Sequence, residues 1–426
     1  MVKFSLIASA TAALATLTTA LPVLDQSATG QLAFSAPSSP SSLAVSTLVA
    51  SLDLARALDA LPHCHRSKLD KHIASLPEVR LVKLAEDDEP LAITEGQKAL
   101  LTLAGKRFVD VTDEEVTVAL AQENKPFPDQ TAYKVKDLQP LFDDISLKEM
   151  EKFLRSFSGF RNRYYRSDTG KQSQQFLLGQ IKQIVHSRKD LHITIREFEH
   201  PWGQNSIIVR LEPKSSSTTS EDIVILSAHQ DSTNLLPFLP APGADDDGSG
   251  TTSLLAAFSS LVNAGFVPSE RPVELHWYSA EEGGLLGSQA VAQEYAKKGV
   301  KVRAMMQNDM SAFVKAGTKP HIGLFRDYTD PALTEFIATV IDEYATIPRF
   351  DSSCGYACSD NGSWFKLGYP SSFIMESRFE ESSKNIHSTK DTIDYSPEFS
   401  FEHMREFSRI DIALAIELGG GANLFK

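Results

Sequence analysis

The sequence has no excess of positive charge: 55 aspartates and glutamates outnumber 42 lysines and arginines, for a net charge of −13. This balance argues against a nucleic-acid partner, which usually requires a clustered basic face. Beyond its first residues the chain also lacks any apolar run long enough to span a bilayer, so we expect no membrane partner. Its hydrophobic content of 42% is enough for a sizeable core.

The N-terminus carries the one long apolar run. Lys3 precedes an Ala-rich stretch from Phe4 to Leu17, and Thr18-Thr19-Ala20 supplies small residues for cleavage. This pattern is typical of a secretory signal peptide. The alternative, a membrane anchor, is disfavoured because the run is shorter than the ~20 apolar residues of a spanning helix. We therefore predict a signal peptide over residues 1–20 and a secreted, extracellular protein.

Cysteine is also scarce, with three in the chain. Cys354 and Cys358 are close in sequence, and in an oxidising compartment we predict that they form a small disulfide loop. Cys64 is left unpaired, which fits a segment that is removed during maturation.

The region after the signal peptide is interpreted as a pro-region. We predict a propeptide over residues 21–85 and a mature domain over residues 86–426. The dibasic pair Lys106-Arg107 is a possible cleavage site, but an exposed pair is favoured, because the stretch that begins at Phe108 resembles a strand of the mature domain.

The mature domain alternates short β-rich runs with helical segments. Most of the runs lack the polar–apolar alternation of a half-buried strand, so we expect strands that are buried on both faces. These runs cover residues 223–226, 273–278, 302–306 and 372–375. Alternating strands and helices predict an α/β fold, with a parallel or mixed central sheet sandwiched between helices.

Side chains that can bind metal follow the ends of these predicted strands. They are His229 and Asp231, the run Asp245 to Asp247, Glu281 and Glu282, Asp309, and His387. Open α/β sheets bind ligands beyond the carboxyl ends of their strands. Taken singly, each has an ordinary alternative, such as a hydrogen-bonded histidine, a helix cap or a solvated glutamate. Five such positions in five loops favour a metal site.

The chemistry of this set suits hydrolysis. Histidine nitrogens and carboxylate oxygens are zinc ligands, and a carboxylate that bridges two ions holds them at the spacing of two-metal sites. Asp246 is the natural bridge, because the glycines around it permit an unusual backbone path. Asp231 is placed to accept the second N–H of His229. One of Glu281 and Glu282 can bind metal while the other takes a proton from water.

Six segments resemble those of the secreted leucine aminopeptidases, a family of dizinc exopeptidases. They are His-Gln-Asp-Ser-Thr at 229–233, Pro-Gly-Ala-Asp-Asp-Asp-Gly-Ser-Gly at 242–250, Ser-Ala-Glu-Glu-Gly-Gly-Leu-Leu-Gly-Ser at 279–288, Gln-Asn-Asp-Met at 307–310, Cys-Gly-Tyr-Ala-Cys-Ser-Asp at 354–360 and Ile-His-Ser-Thr-Lys-Asp-Thr at 386–392. The resemblance runs from about residue 86 to the C-terminus. It implies a mixed, mostly parallel central sheet between two helical layers.

The resemblance also implies a ligand set. His229 and Asp309 would hold one zinc ion, Glu282 and His387 the other, and Asp246 would bridge the two. It further implies that Glu281 is the general base, that Tyr356 hydrogen-bonds the developing oxyanion, and that Asp231 supports His229.

An apolar substrate pocket is implied as well. Its lining residues would be Met310, Phe373, Met375, Phe379 and Ile386, although plain core packing is the alternative for each of them. We therefore expect a monomeric enzyme that acts on peptides with free N-termini, preferring leucine and other large apolar residues.

Two other functions remain open at this point. A glutaminyl cyclase resembles this fold but works with one zinc ion, and a non-catalytic ectodomain could keep the fold for binding. The full set of five ligands and the Cys-Gly-Tyr-Ala-Cys loop favour the peptidase. The only glycosylation sequon, at Asn361, lies so near the expected site that a glycan there is not expected.

Overall fold

The computed structural model describes residues 52–115, 125–213, 222–421 and 424. The predicted signal peptide and the start of the predicted propeptide lie outside these residues. In the described part of the chain, no helix has the length and apolar character needed to cross a membrane.

Eight strands form the main sheet in the order β10-β9-β11-β8-β6-β7-β5-β4. Their bounds are β4 Ile193–Phe198, β5 Ser206–Leu211, β6 Ile223–His229, β7 Val273–Tyr278, β8 Val302–Asn308, β9 Ile322–Phe325, β10 Arg349–Ser352 and β11 Ser371–Met375. The strands β7, β6, β8 and β11 are parallel neighbours, and β10 is parallel to β9. The pairings β11–β9, β7–β5 and β5–β4 are antiparallel. The predicted mixed sheet is confirmed.

The longer helices of this part are α4 Val135–Asp143, α5 Leu147–Phe157, α6 Asp168–Ser187, α7 Gly248–Asn263, α8 Leu286–Lys297, α9 Pro331–Tyr344 and α11 Phe401–Gly419, with a short α10 Asn361–Lys366. Alternate residues of β6 show how they are arranged: Val224 and Leu226 belong to the core under α5, α7 and α11, whereas Ile223 and Ile225 belong to the core under α8 and α10. Helices therefore cover both faces, and every residue of β6 is buried. This confirms the predicted three-layer α/β fold.

Two strands of the main sheet extend beyond their predicted ends into mainly polar residues. The strand predicted to end at Leu226 continues to His229, and the strand predicted to end at Met306 continues to Asn308. The ladder with β7 persists to the pair His229–Tyr278, because backbone pairing does not require apolar side chains.

Residues 52–115, called here the N-terminal segment, form a second, smaller sheet. It has the antiparallel order β2-β1-β3, with β1 Val79–Lys83, β2 Leu91–Thr94 and β3 Val109–Asp110, and with helices α1 Leu52–Ala60, α2 His63–Ser75 and α3 Lys98–Leu103. The strand expected near Phe108 is β3, and it pairs with β1. The predicted boundary at residue 85 thus falls between the paired strands β1 and β2.

The N-terminal segment packs against the main sheet unit through a shared apolar cluster. Buried Leu54, Leu69 and Leu101 of the segment lie in one cluster with the loop at Leu236 and Phe238. This loop lies between β6 and α7, next to the site described below.

Candidate active site

The predicted ligands gather at one edge of the main sheet. Because β7, β6, β8 and β11 are parallel neighbours, their C-terminal ends open at the same edge. The predicted metal ligands and base come from the ends of these strands, the loops that follow them, and the loop before α7: His229, Asp246, Glu281, Glu282, Asp309 and His387.

Asp246 lies between the two histidines. Its Oδ1 is 3.2 Å from Nε2 of His229, and its Oδ2 is 3.1 Å from Nε2 of His387. Nε2 of His229 is also 3.5 Å from Oδ1 of Asp309, and Nε2 of His387 is 2.8 Å from Oε2 of Glu282. The side chains therefore fall into two groups that share one carboxylate.

The donor atoms fit divalent cations. Two ligand atoms on one tetrahedral zinc ion, each about 2.0–2.2 Å from it, lie about 3.3–3.6 Å apart. The distance of 3.5 Å between His229 and Asp309 lies in this range, and the other three distances, 2.8 to 3.2 Å, are shorter. Both ring nitrogens of His229, Oδ1 of Asp309 and Oε1 of Glu282 are buried without a hydrogen-bond partner. Buried polar atoms of this kind are costly unless something binds them.

The electrostatic field at the site is strongly negative. Burial lowers the pKa of His387, but the carboxylates of Glu282 and Asp246 outweigh this effect and raise it to about 10. Burial and the neighbouring charges of Asp309 and Glu282 hold the pKa of Glu281 well above its usual range, although His229 acts in the opposite direction. A bound cation would relieve this accumulation of negative charge.

Asp247 also lies within reach of His229 and Asp309, but its oxygens have other partners. Its Oδ1 accepts the backbone N–H groups of Gly250 and Met310, and its Oδ2 accepts that of His229. These bonds tie the start of α7 to the strand ends on either side, so Asp247 is positioned to hold the loops in place.

Asp231 connects the His229 ring to the glutamate loop. Its Oδ1 is 3.4 Å from Nδ1 of His229 and accepts the backbone N–H of Glu281 at 3.1 Å, while its Oδ2 accepts that of Glu282 at 3.3 Å. A carboxylate on the far nitrogen of a metal-binding imidazole sets its tautomer and orientation. One buried side chain therefore orients three predicted site residues.

Two residues that sequence reasoning did not single out also position the loops. The buried guanidinium of Arg163 donates to the carbonyl oxygens of Gln230, at 2.8 Å, and of Pro242 and Gly243. Asp391 accepts the backbone N–H groups of the residues at 245 and 246, at 2.9 and 3.1 Å. Asp391 lies in the segment 386–392 that carries the resemblance, but both residues act on backbone atoms far away in the sequence, so local spacing does not indicate these contacts.

The backbone is constrained at the site. Ala280, Met310 and His387 have φ values of 57°, 62° and 53°. Such left-handed conformations cost side-chain-bearing residues free energy and are typical of functional sites. Each of these residues is, or adjoins, a predicted ligand or base.

The predicted disulfide between Cys354 and Cys358 is confirmed, and Cys64 is unpaired and exposed. The disulfide loop brings Tyr356 to the same cavity as the predicted ligands. Burial and the neighbouring carboxylates, opposed by Arg107, raise the pKa of Tyr356 to about 12. Its hydroxyl is therefore protonated at neutral pH and available as a hydrogen-bond donor.

A cavity of about 270 Å³ is lined by Asp246, Glu281, Glu282, Asp309 and His387, and apolar side chains form another part of its wall. All five predicted pocket residues line it: Met310, Phe373, Met375, Phe379 and Ile386. Phe325 packs beneath them, with its ring 4.5 Å from that of Phe373. Ser382 and Lys384 also line the cavity and were not predicted.

Arg107 is the least expected residue at the site. The side chains of Lys106 and Arg107 are exposed, as predicted, but Arg107 lines the same cavity as Asp246, Glu281 and Glu282. Because Arg107 belongs to the N-terminal segment, the segment reaches into the mouth of the site.

The sequon residue Asn361 begins the short helix α10. The side chain is buried, with 2% of its surface exposed, and its Nδ2 donates to the carbonyl oxygen of Tyr328. The nitrogen that a glycan would need is therefore enclosed in the fold.

Known proteins share both the sequence and the fold. Residues 206–409 match the model of peptidase family M28. The chain is 45% identical over 341 residues to Leucine aminopeptidase 1 of Chaetomium globosum, covering 76% of this chain and 82% of that protein. The structure of the LapA aminopeptidase of Legionella pneumophila is 26% identical with a TM-score of 0.70, covering 80% of this chain and 98% of that one.

The fold alone does not select an activity. A glutaminyl cyclase of Porphyromonas gingivalis is similar with a TM-score of 0.50 at 16% identity, covering 65% of this chain and 99% of that one. At this identity the likeness concerns the fold alone, so the site residues must discriminate between the two activities.

Proposed function

The chain belongs to peptidase family M28, and on that basis we propose that it is an extracellular, two-zinc aminopeptidase that removes leucine and other large apolar residues from peptide N-termini. The observation that carries this proposal is the placement of Asp246, whose two carboxylate oxygens each face a different histidine. A single-zinc enzyme has no need of such a shared carboxylate.

The proposed ligands are those that the sequence resemblance implies. His229 and Asp309 would hold one zinc ion, Glu282 and His387 would hold the other, and Asp246 would be shared by both groups. Zinc would supply Lewis acidity and would lower the pKa of a water molecule from about 15.7 to about 7.

The remaining roles belong to side chains of this chain. Glu281, whose raised pKa reflects burial among carboxylates, accepts the proton of the attacking water and returns it to the leaving amine. Tyr356 donates a hydrogen bond to the oxygen of the scissile carbonyl as negative charge develops there. Asp231 keeps the ring of His229 in its binding orientation.

Substrate selection follows from the adjacent cavity. A large apolar side chain fits the space lined by Phe373, Met375 and Ile386, while the peptide's free amino group faces the surrounding carboxylates. The monomeric state stays a prediction.

We also propose that the protein is made as a zymogen with a longer pro-region than the sequence suggested. A boundary at residue 85 would separate paired strands of the small sheet and leave Arg107 at the site. In the described part of the chain that follows residue 115, Lys125 contacts the main unit, because its carbonyl oxygen accepts from Arg303. We therefore place the end of the pro-region between residues 115 and 125.

The decisive variant is Glu281→Ala. We expect intact folding and two zinc ions per chain by native mass spectrometry, with leucine p-nitroanilide hydrolysis reduced about a hundredfold or more. The same protein should not cyclise N-terminal glutaminyl peptides. Full activity in the variant would contradict the assigned base, and one zinc ion with cyclase activity would favour the alternative function.

A further inference from the structure

Three cavities adjoin one another at the site. The cavity of about 270 Å³ that holds the predicted ligands shares Glu282, Tyr356 and His387 with a middle cavity of about 130 Å³. The middle cavity shares Leu285 and Ala357 with an outer cavity of about 390 Å³. A path therefore leads from the predicted metal ligands to the outer cavity.

The N-terminal segment follows this path as an extended chain. Arg107 lines all three cavities, and Phe108 and Val109 line the outer one. The backbone N–H of Asp110 donates to the carbonyl oxygen of Gly284 at 3.1 Å, and Nε2 of Gln289 donates to the carbonyl oxygen of Asp110 at 2.9 Å. Backbone bonds of this kind hold extended peptides regardless of their sequence.

The shape of the loop permits this close approach. A Cβ atom at Gly284 would lie 2.7 Å from the backbone nitrogen of Asp110 and 3.0 Å from the ring of Phe108. The φ of Gly284 is 97°, a value that favours glycine. The glycine thus opens a channel for a peptide backbone beside the glutamate loop.

The direction of the chain matches that of a substrate. Residues 107–111 lead from the carboxylates towards the outer cavity, and the adjoining cavities offer the same route to a peptide whose first side chain lies beside Phe373 and Met375. We infer that Gly284, Leu285, Gln289, Ala357 and Phe365 form a groove that binds the peptide residues after the scissile bond, and that residues 107–111 occupy this groove before processing. This inference rests on the proposed aminopeptidase function.

The groove favours apolar residues. Its wall on the main unit includes Leu285, Ala357, Phe365 and Leu367, and Phe365 remains 37% exposed even beside the N-terminal segment. Peptides with apolar second and third residues would bury this surface, whereas peptides with glycine at these positions would leave it exposed to water.

The experiment uses the full chain, folded intact, loaded with zinc, cut between Glu115 and Lys125 and diluted so that the segment dissociates. We expect kcat/KM for Leu-Phe-Val to exceed that for Leu-Gly-Gly about tenfold, mainly through KM. Phe365→Ser should reduce this ratio at least about threefold. Phe350→Ser is the matched control, because Phe350 is 40% exposed and lines none of the three cavities.

The outcomes separate the two proposals. If the cut protein hydrolyses leucinamide but treats both tripeptides alike, or if Phe365→Ser and Phe350→Ser have the same ratio as the unmodified chain, the groove is overturned and the aminopeptidase stands. If leucinamide is not hydrolysed at all, the proposed function fails and the groove fails with it.

Discussion

Two clusters of buried charge, one in each part of the molecule, have opposite electrostatic character. In the N-terminal segment, Nζ of Lys98 is 2.8 Å from Oε2 of Glu95 and 2.6 Å from Oδ2 of Asp110, and Nε of Arg80 is 2.8 Å from the same atom of Asp110. At the candidate active site, carboxylates surround two histidines with no lysine or arginine among the predicted ligands.

The pKa shifts show what this difference means. In the N-terminal segment, burial raises the pKa values of Glu95 and Asp110, but Lys98 and the nearby arginines outweigh it and hold both below their usual range. At the active site, burial raises the pKa of Glu281 and Glu282, and neighbouring carboxylates add to it. A cluster that contains its own counterions stabilises structure, and one that lacks them needs a cation.

The largest effect expected from this comparison concerns metal binding. Asp246→Asn removes the shared carboxylate, so we expect loss of at least one zinc ion per chain and a fall in leucine p-nitroanilide hydrolysis of at least about a hundredfold. Asp110→Asn changes a carboxylate that is equally buried but already paired, and it should leave the zinc content unchanged. The measurement is the zinc content of the two purified variants. Equal zinc loss in both would contradict the proposed difference between the two charge clusters.

The second effect concerns docking of the N-terminal segment. Lys98 also donates to the carbonyl oxygen of Gly283, beside the glutamate loop. Lys98→Met leaves two buried carboxylates short of a cation, at a cost of about 3 kcal/mol. The uncut variant should therefore hydrolyse leucine p-nitroanilide at least about tenfold faster than the uncut parent chain.

The control for this prediction is Lys83→Met, because the ammonium of Lys83 contacts only the exposed carbonyl oxygen of Glu86 among the described residues. An uncut Lys98→Met protein as inactive as the parent chain would show that the ion cluster does not hold the segment in place.

The smallest effect is a pH dependence of the same docking. Burial lowers the pKa of His72 from 6.5, although Glu95 acts against this. A group whose pKa is lowered in the docked state makes its full contribution to docking when the pH is above the group's ordinary pKa. This contribution shrinks as the pH falls towards the lowered pKa. We expect docking to weaken first below about pH 6.5, through His72, and further below about pH 4.5, through Glu95 and Asp110.

The measurement is the fraction of cut protein that keeps its N-terminal segment on size-exclusion chromatography between pH 8 and pH 4. Release of the segment as the pH rises would contradict the assignment, because all three groups predict release in acid.

Much of the main fold was predictable because its signals are local. The runs that became β6, β7, β8 and β11 mostly lack polar–apolar alternation, which indicated strands that are buried on both faces, and parallel neighbours bring their ends to one edge. The short strands β9 and β10 were not predicted, since four residues give little pattern and the edge strand β10 is also polar and half-exposed.

The side chains that follow the strand ends, and so the chemistry of the candidate site, could be identified before folding, because each strand is indicated by its own neighbouring residues. The positions of Arg163 and Asp391 against the ligand loops, of Arg107 at the site and of residues 52–115 over its approach depend on the folded chain. Those contacts join backbone and charged groups that are far apart in the chain. They form only when folding brings the two partners together, so no periodic pattern of residues in the sequence indicates them.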